Sequence, residues 1–407
     1  MNRGTLAAVT GGLRGYRADV AFDGDRELVG GALVLVEGET IVGVQPATAA
    51  APAACPVAHR PGTTLLPGLI DAHAHLCGDG GPRALDQLGE LSPDEIERII
   101  TDALTAQLRA GVTAVRDLGD VDWAVVERGD PGPGRPHVVA SGPPITSVAG
   151  HCANMGGAVS GRAALLAAVR ERADRGVSIV KIMASGGVMT AGTDLLIPQF
   201  TAGELQLVVD EAHRLGLPVT AHAHALRAVE QAVAAGVDGI EHCTCFTASG
   251  LHAPPELAER IAAARIPVCP TLGRRPEVPI PPQIQAALER TGSTWEMVLA
   301  QAARLRRAGV RLISGDDAGI NPAKSHGILP ISVANLVEVG MAPAAALASA
   351  TGDAADACRL AGRTGRLRPG LAADLLIVNG NPLVDIGALH AVRTVVARGR
   401  EVDLAPR

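Results

Sequence analysis

Aromatic side chains are nearly missing from this chain of 407 residues: one Tyr, two Trp and three Phe. A core of this chain has to be Ala, Val, Leu and Ile, and little stacking surface remains for nucleic-acid bases. A net charge of −6 with no basic block argues the same way, against a nucleic-acid partner. Long hydrophobic runs are also lacking. The apolar stretch around Ala163–Val169 is far too short to span a membrane, so no membrane partner is expected. The opening residues Met1-Asn2-Arg3-Gly4-Thr5 lead into no segment of signal-peptide form. Seven cysteines, odd in number and scattered, suit a reduced cytoplasmic protein better than a disulfide framework.

What is present is a change of pattern along the chain. Residues 18–46 alternate like strands, and Glu37-Gly38-Glu39 marks a hairpin turn between Ala32–Val36 and Thr40–Val44. From about 63 to 362, short apolar runs alternate with helical ones. The strands expected are 64–72, 111–117, 137–141, 177–183, 217–223, 237–242, 266–271 and 310–316. Ser92-Pro93-Asp94-Glu95 and Thr201-Ala202-Gly203-Glu204 read as capping boxes that open helices. Eight strands alternating with helices indicate an α/β fold, a (β/α)8 TIM barrel. Residues 363–402 return to strand-like text. The two chain ends, 1–62 and 363–407, are therefore expected to form a small β-sandwich domain beside a barrel over 63–362. Pro276–Pro282 is too rich in proline for a helix or central strand and reads as a stiff loop over the barrel mouth.

Active sites of such barrels sit where strands end. The first strand ends in His73 and His75, two residues apart and so on one face. The fourth carries a lone charge, Lys181, inside an apolar run, where an unpaired ammonium is costly. The fifth ends in His222 and His224, the sixth in Glu241-His242, and the eighth in Asp316-Asp317. Imidazoles and carboxylates suit zinc or a similar divalent ion. A lysine that takes up CO2 becomes a two-oxygen anion able to bridge two ions. Two such ions would generate hydroxide from a shared water and polarise a carbonyl, and a carboxylate on the eighth strand would handle the proton.

The set Pro67-Gly68-Leu69-Ile70-Asp71-Ala72-His73-Ala74-His75, Val180-Lys181-Ile182-Met183, Ala221-His222-Ala223-His224, Ile240-Glu241-His242, Gly315-Asp316-Asp317-Ala318-Gly319 and Gly370-Leu371-Ala372-Ala373-Asp374-Leu375 resembles the amidohydrolase superfamily. Within it, the set is similar to the imidazolonepropionase-like or prolidase-like metal-dependent members. The resemblance implies that His73, His75 and Asp317 bind the more buried of two divalent metal ions and His222 and His242 the more exposed one. Carboxylated Lys181 would bridge them, and Asp317 would also be catalytic. His151, after the third strand, matches an element that reaches the substrate or its oxyanion in such relatives. His326 matches a loop after strand eight. The expected reaction is hydrolysis of an amide or peptide bond in a small peptide-like or N-acylated substrate, with a homo-oligomer left open. Alternatives on the same scaffold are a peptide-maturation hydrolase, a cyclic-amide hydrolase or deaminase, and a lactone or ester hydrolase. From another class comes a scaffold that has lost its metals, against which the intact donor set argues.

Two positions depart from the pattern. Asp316 replaces a threonine, and His224 stands where some dipeptidase-like members carry a substrate-binding tyrosine, while the sole tyrosine here is Tyr16. A substrate carboxylate therefore needs another donor, and His151, His224, Arg274 and Arg275 are the candidates. Arg116 and Asp117, ending strand two, read as an ion pair at the barrel mouth.

Overall fold

Gly38 sits at a positive φ of 58°, which a two-residue hairpin loop demands and a Cβ would oppose. The strands Ala32–Glu37 and Thr40–Pro46 pair across it in antiparallel register, Glu37 opposite Thr40. The computed structural model describes residues 12–404. The opening residues read above for a leader lie outside them. The hairpin belongs to a four-stranded sheet whose other members are Arg14–Ala18 and Val57–His59. A six-stranded sheet joins both chain ends: Leu375–Asn379 lies between Val392–Ala397 and Thr63–Pro67, and Val20–Phe22 follows. Tyr16, Val34 and Val36 of the first sheet share one apolar cluster with Leu65, Leu375, Ile377 and Val396 of the second.

The strand expected over 64–72 is two strands. Thr63–Pro67 pairs antiparallel with Leu375–Asn379, whereas Leu69–Ala74 runs parallel to Val112–Asp117. Between them Gly68 passes so close to Thr113 that a Cβ there would meet its Oγ1 at 2.0 Å. The apolar run hides this junction, because both strands are buried throughout.

The remaining parallel pairings follow in order. Val112–Asp117 pairs with His137–Ala140. Val180–Met183, Val219–Ala225, Gly239–Thr247 and Val268–Cys269 form the next run. Ser178 donates to the Ala140 carbonyl at 3.1 Å, linking the two groups. The seventh strand is shorter than expected, because Pro267 and Pro270 have no N–H to donate and Thr271 turns to a φ of +48°. The eighth is not a ladder strand. Residues 310–316 make one parallel bridge, Leu312 with Val268, and the Ser314 N–H is diverted to Ser349. Ala72 donates to Ser314 at 3.0 Å and Asp317 to His73 at 2.8 Å, so this segment still lies beside the first strand.

Helices follow the strands. Pro93–Arg109 and Ala202–Arg214 start in the expected capping boxes, with Glu95 and Glu204 N–H groups donating to Ser92 and Thr201 at 3.4 and 3.2 Å. The Pro-rich stretch is irregular up to Pro281, and Pro282 opens the helix Pro282–Arg290. The result is a mixed α/β fold. No helix among the described residues is long and apolar enough to cross a membrane.

Gly68→Ala should overpack this junction and lower stability by about 1–3 kcal/mol. Trimming Thr113 to Ala or Gly in the same chain should recover part of the loss in thermal melting. Equal stability of Gly68→Ala and wild type would show that the close approach is not obligatory.

Candidate metal centre and cavity

The strand ends converge on one cavity, about 990 Å3 with its open mouth. His73, His75, His151, Lys181, His222, His224, His242 and Asp317 all line it. Arg274, Arg275 and His326, expected at the substrate, do not. His326 binds the Gly78 carbonyl through Nε2 at 2.9 Å. Arg275 donates to Ser325 at 2.7 Å, and the Arg274 guanidinium lies over the Trp295 ring at 5.5 Å.

Hydrogen bonds fix which ring nitrogen each histidine offers. The His75 Nδ1 donates to the Gly119 carbonyl at 3.0 Å, which can only accept, so Nε2 is the nitrogen turned to Asp317. The His73 Nδ1 donates to Glu241 at 2.8 Å, and its Nε2 is likewise turned to Asp317. Asp317 Oδ1 stands 3.2 Å from His73 Nε2 and 3.3 Å from His75 Nε2. Burial alone would raise the Asp317 carboxyl, yet His73, His75 and His242 together hold it well below the usual carboxylate range. The donor atoms of these three side chains lie within 4.8 Å of one another, a set that fits one divalent ion.

A second group, His222, His224 and His242, is equally close. Ring geometry decides among them. An imidazole lone pair lies in the ring plane. His224 and His242 stack at 18° with centroids 4.4 Å apart, so they cannot both aim lone pairs at one ion. His222 and His242 meet at 74° and 4.6 Å, which suits shared ligation. Burial pushes both well below the ordinary histidine range, so their lone pairs are available to an ion. Lys181, 1% exposed, faces the same space, and burial lowers its ammonium from the usual lysine range.

His151 and His224 each meet a threonine hydroxyl. Thr190 Oγ1 accepts from Cys152 N–H at 3.1 Å and lies 2.9 Å from His151 Nδ1. The His151 Nε2 packs against Gly187. Gly187 makes room for it, since a Cβ there would meet Nε2 at 2.4 Å. Thr244 instead donates to the His224 carbonyl at 3.3 Å, so its Oγ1 accepts from His224 Nδ1 at 2.9 Å. His224 Nε2 is therefore a bare acceptor. Burial pushes His151 down to about 3 and His224 to about 4.

The sequence assigns no role to two groups of the site, Glu241 and Lys324. Glu241 is a lone carboxylate in an apolar strand, the same signal that marked Lys181. It holds His73, Arg116 at 2.9 Å and Thr220 at 2.6 Å. Arg116 thus pairs with Glu241 and not with Asp117, whose carboxylate accepts the N–H groups of Leu76 and Gly119. Alternation along the strand puts Asp117 on the other face. Lys324 lines the cavity with its Nζ bound to the carbonyls of Thr271, Gly273 and Asp316. Asp316 turns away from the histidines. Its carboxyl lies against that of Asp71, and burial raises both above the usual range.

The profile of the amidohydrolase family matches residues 64–402. The chain belongs to the amidohydrolase family. As an amidohydrolase it is a hydrolytic enzyme acting on carbon–nitrogen amide bonds. An uncharacterised protein of Mycobacterium tuberculosis is 30% identical over 346 residues, 83% of this chain and 85% of that one. Ochratoxinase of Aspergillus niger is 27% identical over 364 residues, 81% of this chain and 73% of the relative. A crystal structure of a prolidase complexed with N-methylphosphonate-L-proline superposes with a TM-score of 0.81 at 27% identity, covering 96% of this amidohydrolase and 99% of that chain. These likenesses imply a TIM-barrel-like α/β fold.

Two outcomes follow from this geometry. Asp317→Asn should lower kcat by roughly 10²–10⁴-fold, whereas Asp316→Asn, which can still bond Asp71, should cost at most about 10-fold; the reverse ranking would exchange their roles. Glu241→Gln should weaken metal retention by about 10- to 100-fold, read by competition with a chelator, because His73 loses the carboxylate that orients it.

Proposed function

We propose that this amidohydrolase is a binuclear metal-dependent enzyme that cleaves the amide bond of a small peptide-like or N-acylated substrate. The observation that carries this reading is Asp317 Oδ1 between the Nε2 atoms of His73 and His75, in the same cavity as Lys181, His222 and His242. His73, His75 and Asp317 would hold one ion and His222 and His242 the other, zinc suiting this nitrogen and oxygen set. Carboxylated Lys181 would join them. Its buried amine favours the neutral form to which CO2 adds. The bound ions would supply an activated water and polarise the substrate carbonyl.

The chain's own groups do the rest. Asp317 takes the proton of the attacking water and passes it to the leaving nitrogen. His151 steadies the developing oxyanion. His224, an acceptor at Nε2, takes the substrate N–H, a different task from the carboxylate binding expected of it.

The proposed frame is a closed (β/α)8 barrel over 63–362, supported by the links from Ser314 and Asp317 to the first strand. Residues 1–62 and 363–407 would form the β-sandwich domain, to which 63–67 lends a strand. Seven free thiols suit a cytoplasmic setting.

Elemental analysis of the zinc-loaded enzyme should give two ions per chain. Lys181→Ala should lose most of the metal and activity, with partial recovery on adding short carboxylic acids. One ion per chain together with full activity of Lys181→Ala would rule out the binuclear reading. A screen of dipeptides and N-acyl amino acids, scored for released amine, tests the reaction itself.

A further inference from the structure

We propose that the outer half of the cavity receives a bulky, uncharged, apolar group of the substrate, an aryl or long alkyl group attached to the scissile amide. The inference rests on the amide-hydrolase reading above and specifies what the enzyme selects.

The cavity is divided by chemistry. Its inner end carries the imidazoles, Asp317 and Lys181. Its outer wall is built from Leu195, Phe246, Ile284, Leu288, Trp295 and Val298. Most of these belong to a small apolar cluster of their own, in which Leu195, Phe246 and Leu288 are buried while Ile284 and Val298 are half-covered. The cluster is contributed by separate parts of the chain: the segment after Val180–Met183, the end of Gly239–Thr247, and the helices Pro282–Arg290 and Trp295–Arg307. A cluster used only as core would close on itself. This one faces open space, as the walls of ligand pockets do.

Aromatic usage points the same way. The chain has one Tyr, two Trp and three Phe, and two of these six, Phe246 and Trp295, line this one cavity. Rigid apolar area is placed where it contacts a ligand.

Charge recognition is poorly provided for in the outer half. Lys324 has three N–H donors, and three carbonyls take them, those of Thr271 at 2.8 Å, Gly273 at 3.1 Å and Asp316 at 2.6 Å. The Arg274 guanidinium lies against the Trp295 face and does not line the cavity. Apolar contact area is thus the main source of discrimination, and each added methylene or ring should be read out in kcat/KM.

The test uses the zinc-loaded full chain and two substrate series. In one, the acyl group grows from acetyl through hexanoyl to naphthylacetyl on a small amine; in the other, the amine grows in the same way. In at least one series kcat/KM should rise by about 10-fold or more from the smallest to the largest member. Ile284→Asn and Leu288→Asn should remove that rise, read as the ratio of kcat/KM between the naphthyl and acetyl members of each series. Ile284 is half-buried, so its variant keeps the test valid if Leu288→Asn fails to fold. Binding is read separately, as quenching of Trp295 fluorescence by a naphthyl phosphonamidate, with Trp295→Phe as the control. Both variants should weaken it about 10-fold. Flat or falling kcat/KM in both series, or a naphthyl affinity untouched by the substitutions, overturns the proposal. No hydrolysis in either series with naphthyl binding intact would instead unseat the amide-hydrolase reading and leave the apolar site standing.

Discussion

The site depends on the buried carboxylate of Glu241. A charge withdrawn from water costs several kcal/mol unless it is paired and fully hydrogen-bonded. Glu241 is satisfied by Arg116, Thr220 and the Nδ1–H of His73, and these neighbours hold it at about 2 against the opposing effect of burial. The four residues come from four parallel strands. Arg116 also donates to the Ala72 carbonyl at 2.7 Å, one residue before His73. One ionised group therefore fixes the orientation of His73, its tautomer, and the spacing of the strands that carry the donors. If Glu241 were neutral, His73 could turn over and Arg116 would be buried without a counter-charge.

Backbone strain serves the same end. His242 and Asp317 have φ values of 68° and 60°, and Cys243, Cys245 and Thr271 share the left-handed region. Such residues cost about 1–3 kcal/mol each and persist where their surroundings over-determine them. The gain is local. In a regular strand Glu241 and His242 would point to opposite faces. The left-handed turn at His242 lets Glu241 support His73 from behind while His242 enters the cavity. Asp316 and Asp317 divide in a comparable way, one against Asp71 and the other between two imidazoles.

Much of this arrangement was legible. The i, i+2 spacing of His73 and His75 needs only strand alternation, and a lone lysine in an apolar run identifies itself by its desolvation cost. The hairpin at Gly38 and both capping boxes follow from local chemistry. The legible features depend on neighbours in sequence, and the illegible ones on distant partners. Nothing near Gly68 reveals that Thr113 approaches it, so one apolar run was read as a single strand. Arg116 and Asp117 are adjacent, but the carboxylate that takes Arg116 is 125 positions away. Lys324 looks like any loop lysine until three carbonyls close around its Nζ. The apolar wall was hidden for another reason: Ile284, Leu288 and Val298 show the same helical spacing whether they face a core or a cavity.

The two imidazoles beside the proposed ligands give the site a polarity of its own. His224 presents a bare Nε2, set by Thr244, whose hydroxyl hydrogen goes to the His224 carbonyl, and His151 stands beside it with Nδ1 on Thr190. A secondary amide has the complementary group, an N–H that donates. An ester of the same shape keeps the carbonyl but sets an oxygen lone pair against His224 Nε2. A buried acceptor left facing another acceptor costs about 1–3 kcal/mol. On the proposed reading, His224 would therefore favour an amide over an ester of the same shape, and would do so as a neutral group. Burial is the main cause of that neutrality, and a protonated imidazole here would repel an ion held on the proposed ligands.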